Sequence, residues 1–129
     1  MSFEAGQTIN ELKVTPDRIL PIRYAGASGD FNPIHTDQDF AKQVGLPSTI
    51  LHGLYSMALV SRAVSDAAGG VENVKSLSVQ FRGMGFPEKE IAVTGTVSAV
   101  EDGVATIDLV GTQDGNAIIR NAVATVTDQ

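Results

Sequence analysis

The stretch Tyr24-Ala25-Gly26-Ala27-Ser28-Gly29-Asp30-Phe31-Asn32-Pro33-Ile34-His35 places a carboxylate, Asp30, and an imidazole, His35, five residues apart in a segment that cannot be regular helix. Gly29 permits unusual backbone angles just before Asp30. Pro33 stiffens the chain and pushes Asn32 toward extended geometry, and the Asn32 amide can tie the loop to itself. Such a loop holds a carboxylate and an imidazole at a fixed separation. Histidine is the side chain whose unperturbed charge change falls near neutral pH, so the pair can share general acid and base work. Taken alone, these residues equally fit a blander reading, with Asp30 capping a loop and His35 a satisfied surface or helix-capping residue.

A second segment is Pro47-Ser48-Thr49-Ile50-Leu51-His52-Gly53-Leu54. Gly53 immediately precedes a long helical stretch. Backbone N–H groups there have no intrahelical partner and sit at the positive end of the helix. They suit a carbonyl oxygen that gains negative charge, although an ordinary glycine N-cap explains the same residue. His52 has no third or fourth ligand at zinc spacing and reads as a structural histidine near a buried helix. No metal site and no cofactor are expected. Asp37 and Asp39 read as exposed helix-start charges. Gly83-Met84-Gly85 runs into Phe86-Pro87 rather than a helix, so no phosphate loop is formed. No Gly-x-Ser-x-Gly elbow occurs.

The elements that must position these residues fall into two textures. After residue 70 the chain alternates as strands do. Strands are expected over 75–82, 91–100, 104–112 and 117–127. Ile91, Val93, Val97 and Ala99 share one face, as do Ala105, Ile107 and Leu109. Asp102-Gly103 and Asp114-Gly115 are hairpin signals, so the four strands read as an antiparallel meander. Before residue 70, Thr8–Val14 reads as a short strand. Asp17 is placed to cap a helix running to about Ala27, with Pro21 tolerated in its first turn. Thr36–Val44 reads as a short helix ended by Gly45 and Pro47. Leu54–Ala68 is the longest helical stretch and closes on Gly69-Gly70. Leu54, Met57, Ala58, Ser61 and Val64 share a face, with Leu59, Val60 and Ala63 extending it, so this helix is expected to be mostly buried. A long buried helix against a curled antiparallel sheet is the simplest arrangement.

The chain has 129 residues, with 9 Lys+Arg against 15 Asp+Glu for a net charge of −6. That length fits one domain with a real core. The acidic balance argues against nucleic-acid binding and anionic membrane surfaces, and no apolar run approaches a membrane span. The absence of cysteine removes thiolate chemistry and disulfides. Met1-Ser2-Phe3-Glu4 shows no secretory signal, so a cytoplasmic protein is expected.

From Tyr24 to His35, and again at His52-Gly53, the sequence resembles the MaoC-like hydratase/dehydratase family. Its signature, Tyr-Ala-x-x-Ser-Gly-Asp-x-Asn-Pro-x-His followed by a His-Gly that opens a helix, is matched here at every fixed position. The family comprises (R)-specific enoyl-CoA hydratases and (3R)-hydroxyacyl-[acyl-carrier-protein] dehydratases. The resemblance implies an α+β hot-dog fold, a long central helix wrapped by an antiparallel sheet, with residues 1–129 forming a single such domain. It implies that Asp30 and His35 are the catalytic pair, that Asn32 supports their loop, and that the Gly53 N–H polarises a thioester carbonyl. Ser61 matches a position where the family can place a hydroxyl near the site, although a buried serine bonding back to its own helix reads equally well. The implied reaction is reversible syn hydration of trans-2-enoyl thioesters to (3R)-3-hydroxyacyl thioesters, carried on CoA or acyl carrier protein. His35 would handle the α-proton and Asp30 the hydroxyl or water; the reverse, or both acting through one water, stays open. A lone hot-dog exposes a sheet edge and half a site. A homodimer is therefore expected, or a heterodimer with a motif-lacking hot-dog subunit that supplies the acyl tunnel. The competing readings are a hot-dog thioesterase and a non-catalytic partner subunit; the latter tends to lose the acid or the imidazole, and both are present here.

Overall fold

The computed structural model describes residues 2–128. In chain order the elements are β1 (Leu12–Val14), α1 (Leu20–Ser28), α2 (Pro33–Thr36), α3 (Gln38–Gln43), α4 (Gly53–Ala68), a single 3-10 turn (Val71–Asn73), β2 (Val74–Phe81), β3 (Ile91–Glu101), β4 (Val104–Gln113) and β5 (Asn116–Thr127). The strands form one five-stranded antiparallel sheet in the order β1-β3-β4-β5-β2. It curls around α4, which contacts β2, β3, β4 and β5.

Both Asp-Gly pairs turn hairpins as expected. Asp102 and Gly103 have φ of 52° and 76°, and Asp114 and Gly115 have 52° and 75°. Two consecutive left-handed residues are what a two-residue type I′ loop requires. The register follows, with Glu101 opposite Val104 and Gln113 opposite Asn116. Ile91, Val93 and Val97 of β3 and Ala105, Ile107 and Leu109 of β4 point into the core. Ala99 is only half-buried, because the register slips between Val97 and Ala99.

The four long strands are not a meander in chain order. β2 lies beyond β5 and pairs with it antiparallel, so the segment from Arg82 to Glu90 crosses to the far side of the sheet. Its Gly-Met-Gly-Phe-Pro sequence has no tight-turn chemistry, and a buried side chain holds it in place. Gln113, 5% exposed, accepts the Phe86 N–H through Oε1 (2.8 Å) and donates from Nε2 to the Phe86 and Lys89 carbonyls (2.8 and 3.0 Å). The same crossover hands the Gly85 carbonyl to the Leu51 N–H at 2.8 Å. It thereby fixes the residue before His52. Gln113→Leu leaves three backbone groups without their partner, and a loss of about 2–3 kcal/mol is expected in urea denaturation. An unchanged midpoint would mean that the crossover does not depend on this clamp.

The first half shows further differences. The expected strand Thr8–Val14 appears as an isolated bridge from Thr8 to Thr96 followed by β1. Asp17 does not cap α1; the N-cap is Ile19 without a side-chain bond. The Asp17 carboxylate instead takes Arg23 Nη2 at 2.9 Å. That guanidinium bond, helped by the Leu20 and Ile19 backbone, holds its pKa below the usual carboxylate value. The expected helix 36–44 appears as α3, shortened to Gln38–Gln43, and a separate helical turn, α2, precedes it. Asp37 is extended (φ −126°, ψ 108°) and its carboxylate accepts from Asp39 and Phe40 N–H, restarting the chain as α3. In α4 the buried stripe is Ser56, Leu59, Val60, Ala63, Val64 and Ala68. Leu54 and Ala58, expected inside with Val64, face outward.

Candidate active site

Three segments converge at the start of α4. The first is the loop after α1. Asn32 is extended (φ −52°, ψ 128°) and its Oδ1 caps α2 by accepting the Ile34 N–H at 3.1 Å. Proline at the first position of α2 suits that start. His35 therefore sits inside one helical turn rather than in open loop. Asp30 is set by its neighbours, since its N–H donates to Ser28 Oγ (3.2 Å) and its Oδ1 accepts the Asn32 N–H (3.2 Å). The carboxylate is left with Oδ2 unengaged.

The second segment runs over 49–52. Ile50 N–H donates to the Ile34 carbonyl at 3.1 Å, and His35 Nδ1 donates to the Ile50 carbonyl at 2.7 Å. A nitrogen facing a carbonyl oxygen at that distance must carry the proton. In the neutral ring the lone pair is then on Nε2, which lies 3.9 Å from Asp30 Oδ2. His35 is 8% exposed, whereas the Asp30 side chain is 55% exposed.

The third segment is the start of α4. Here His52 is the N-cap and Gly53 the first helical residue, one position later in role than an N-cap glycine. Tyr55 N–H bonds the His52 carbonyl at 3.1 Å, but the Gly53 N–H, as a first-turn donor, has no partner within the helix. Gly53 lines a cleft of about 300 Å³ together with Tyr24, Ser28, Asp30, His52, Leu54 and Phe81. His35 borders a separate hollow of about 220 Å³ with Arg18, Ile19, Ile22 and Thr49. Asp30 thus lines the cleft and His35 the hollow, with Asp30 Oδ2 and His35 Nε2 3.9 Å apart.

Sequence reasoning read His52 as a structural histidine near a buried helix and gave it no part in the site. It is 3% exposed, stacks on His35 at 3.8 Å between centroids and 18° between planes, and leans on Tyr24 at 4.7 Å. Its Nε2 donates to the Asp30 carbonyl at 3.0 Å. Among the described residues, its Nδ1 is the buried side-chain polar atom without a partner. Tyr24 in turn meets Tyr55 edge-on at 5.8 Å; burial pushes the Tyr55 hydroxyl above the usual phenol value and keeps it an O–H. Tyr24 and Ser28 stood inside the motif without an assigned role. Phe81, from the end of β2, carried no signal at all. Ser61 lies two turns along α4, is half-buried, and lines neither the cleft nor the hollow.

Asp30, His35 and His52 offer ligating atoms within 4.8 Å of one another. Imidazole lone pairs lie in the ring plane, however. Two nearly parallel stacked rings cannot both aim at one ion at the ~2.1 Å that imidazole–metal bonds need. The arrangement fits proton chemistry instead: one bare imidazole nitrogen and one carboxylate oxygen facing each other, beside an unpaired backbone donor.

The family profile described as MaoC like domain matches residues 4–117. The chain belongs to the MaoC-like domain family. Among its relatives is the 3-oxo-4,17-pregnadiene-20-carboxyl-CoA hydratase beta subunit of Mycobacterium tuberculosis, 31% identical over 106 residues that cover 82% of each chain. The fatty acid synthase beta subunit TOXC of Cochliobolus carbonum is 42% identical over 74 residues, which are 54% of this chain and 4% of that one. The chain spans only 4–5% of the fungal synthase subunits it matches. Among solved structures, the ChsH1-ChsH2 complex from Mycobacterium tuberculosis superposes with a TM-score of 0.87 over 98% of each chain at 27% identity. The hot-dog architecture expected for a MaoC-like domain is therefore the observed one. Among the described residues, no helix is long and apolar enough to cross a membrane.

Proposed function

We propose that this MaoC-like chain catalyses reversible hydration and dehydration between trans-2-enoyl thioesters and 3-hydroxyacyl thioesters, with Asp30 and His35 as its proton-handling pair. The observation that carries this reading is the 3.9 Å approach of Asp30 Oδ2 to His35 Nε2, with Asp30 and Gly53 lining one cleft. Two acceptors at that separation can each take one O–H of a single water. As the water oxygen bonds C3, one proton passes to His35 Nε2 and the other stays on oxygen, held by Asp30. Electron density moves through the conjugated system onto the thioester oxygen, where the Gly53 N–H stabilises it. His35 then returns its proton to C2. Both new bonds form on the face that the pair occupies, which gives syn addition, and elimination is the same path reversed. Asn32 supports the loop by capping α2. The relatives named as a CoA hydratase subunit and as fatty acid synthase subunits support a thioester substrate.

The site is open on this chain alone. Phe31, Leu54 and Phe81 are 64%, 62% and 51% exposed, and β2 is an edge strand with an unpaired side. A second hot-dog subunit would cover them, either another copy or a partner chain. The similarity to a two-component complex favours keeping the heteromeric option, and size-exclusion of the chain expressed alone decides between them.

The test is incubation with crotonyl-CoA and with the matching carrier-protein thioester, by the chain alone and with a candidate partner. Loss of the conjugated-enoyl absorbance without release of free thiol is the expected outcome. Free thiol appearing in step with substrate loss would make the chain a thioesterase and overturn the proposal.

A further inference from the structure

Asp30 is held at three points. Two are local, Ser28 Oγ on its N–H and the Asn32 N–H on Oδ1. The third comes from 22 residues away, the His52 Nε2–H on its carbonyl. The same His52 ring stacks on His35, and the residue after it is Gly53. His52 thus touches both members of the proton-handling pair and is covalently joined to the donor for the thioester oxygen. No other described side chain makes all of these connections. Its proton must be on Nε2 to serve a carbonyl. A proton on Nδ1 would be an unpaired N–H in a buried position, which is costly.

We infer that His52 is a positioning residue that sets Asp30 and His35 against the Gly53 N–H, through its Nε2–H tautomer. The inference rests on the reaction proposed above. It assigns His52 no contact with the reacting atoms. The titratable groups packed on it are Asp30 and His35, with Tyr24 against its ring and Tyr55 behind Tyr24. The chemistry needs the proton-handling pair and the oxygen-binding donor on one small substrate at once. An ångström-scale error between them costs rate rather than binding.

Two substitutions separate the two contacts. His52→Gln keeps an N–H donor of similar reach but loses the stack. His52→Phe keeps an aromatic ring against His35 and Tyr24 but loses the donor. His52→Phe is expected to lose up to about 100-fold in kcat with KM within about twofold, and His52→Gln to stay within about tenfold. A packing role predicts the reverse order, so His52→Phe outperforming His52→Gln, or equal losses in both, overturns the inference. Thermal melts identify any variant that fails to fold. Long-range ¹H–¹⁵N spectra of the parent should show the His52 proton on Nε2; a proton on Nδ1 overturns the inference. The Asp30 carbonyl ¹³C resonance should move upfield in His52→Phe and hold in His52→Gln. These spectra need no turnover. If the parent hydrates no enoyl thioester, the proposed reaction fails, and the spectra still decide whether His52 holds Asp30.

Discussion

Asp30→Asn is expected to lower the hydration rate of a short enoyl thioester by about 10³–10⁴-fold, at the upper end of what one acid–base group contributes. The substitution is nearly isosteric. The Asn side-chain oxygen still accepts the Asn32 N–H, and the backbone bonds to Ser28 and His52 do not involve the carboxylate. What disappears is the negative Oδ2 that faces His35 Nε2. An amide nitrogen there donates where the water needs an acceptor, so the water is turned away from C3. His35→Asn is the matching change. Its amide can still donate to the Ile50 carbonyl, as Nδ1 does, while nothing replaces Nε2. Both variants should melt within a few degrees of the parent, and both should fail in the same enoyl-absorbance assay. A rate within tenfold of the parent for either one removes that residue from the proton path.

The parts of the fold that were legible in the sequence are those set by local chemistry. The Asp-Gly pairs demanded left-handed residues and found them, and alternation in β3 and β4 assigned the buried faces correctly as far as Val97, before the register slip that leaves Ala99 half-buried. The position of β2 was not legible, because alternation says which face of a strand is buried and nothing about its neighbour. Pairing with β5 is decided by the long crossover and by Gln113, a residue that reads as an ordinary strand-end glutamine. The face of α4 was misjudged for a related reason. Its sequence is apolar or small nearly all round, so the stripe toward the sheet is chosen by packing, and Ser56 is buried while Leu54 is not. The start of α3 was legible, since Asp37 and Asp39 read as helix-start charges and Asp37 caps α3 with Asp39 in its first turn; the turn of α2 before it was not.

The site divides along the same line. Asp30, Asn32 and His35 stand in one short segment, a loop running into the turn of α2, whose glycine and proline constrain it locally, so their grouping was visible before any fold. His52 was not, because it reaches the pair only after α2 and α3 have turned the chain back and Ile34 has zipped to Ile50. Lacking zinc spacing, it was set aside as structural. Burial was the right expectation, but the stack and the carbonyl bond are products of tertiary structure. Ser61, the other matched position, is half-buried on α4 and lines neither of the two spaces described.

Gly53→Pro is the other large effect, and it isolates a backbone group that no side-chain change can remove. Proline at the first helical position is tolerated, because its fixed φ suits the helix and its missing N–H would have had no intrahelical partner. His52, with φ −64° and ψ 138°, already has the extended geometry that a residue before proline adopts. The helix should therefore form, with the oxygen-binding donor deleted. A Cβ at Gly53 meets the Phe81 ring at 3.3 Å, so the ring must give by a few tenths of an ångström, which its exposed position allows. Gly53→Ala has the same contact and retains the N–H, making it the control. Gly53→Ala is expected to lose activity only as far as the shift of Phe81 disturbs the cleft. Gly53→Pro should lose a further factor of about 10²–10³ in kcat, the usual cost of one donor to a developing oxyanion. If the two variants are equally active at comparable melting temperatures, the negative charge on the thioester oxygen is stabilised elsewhere, and the start of α4 serves only to carry His52.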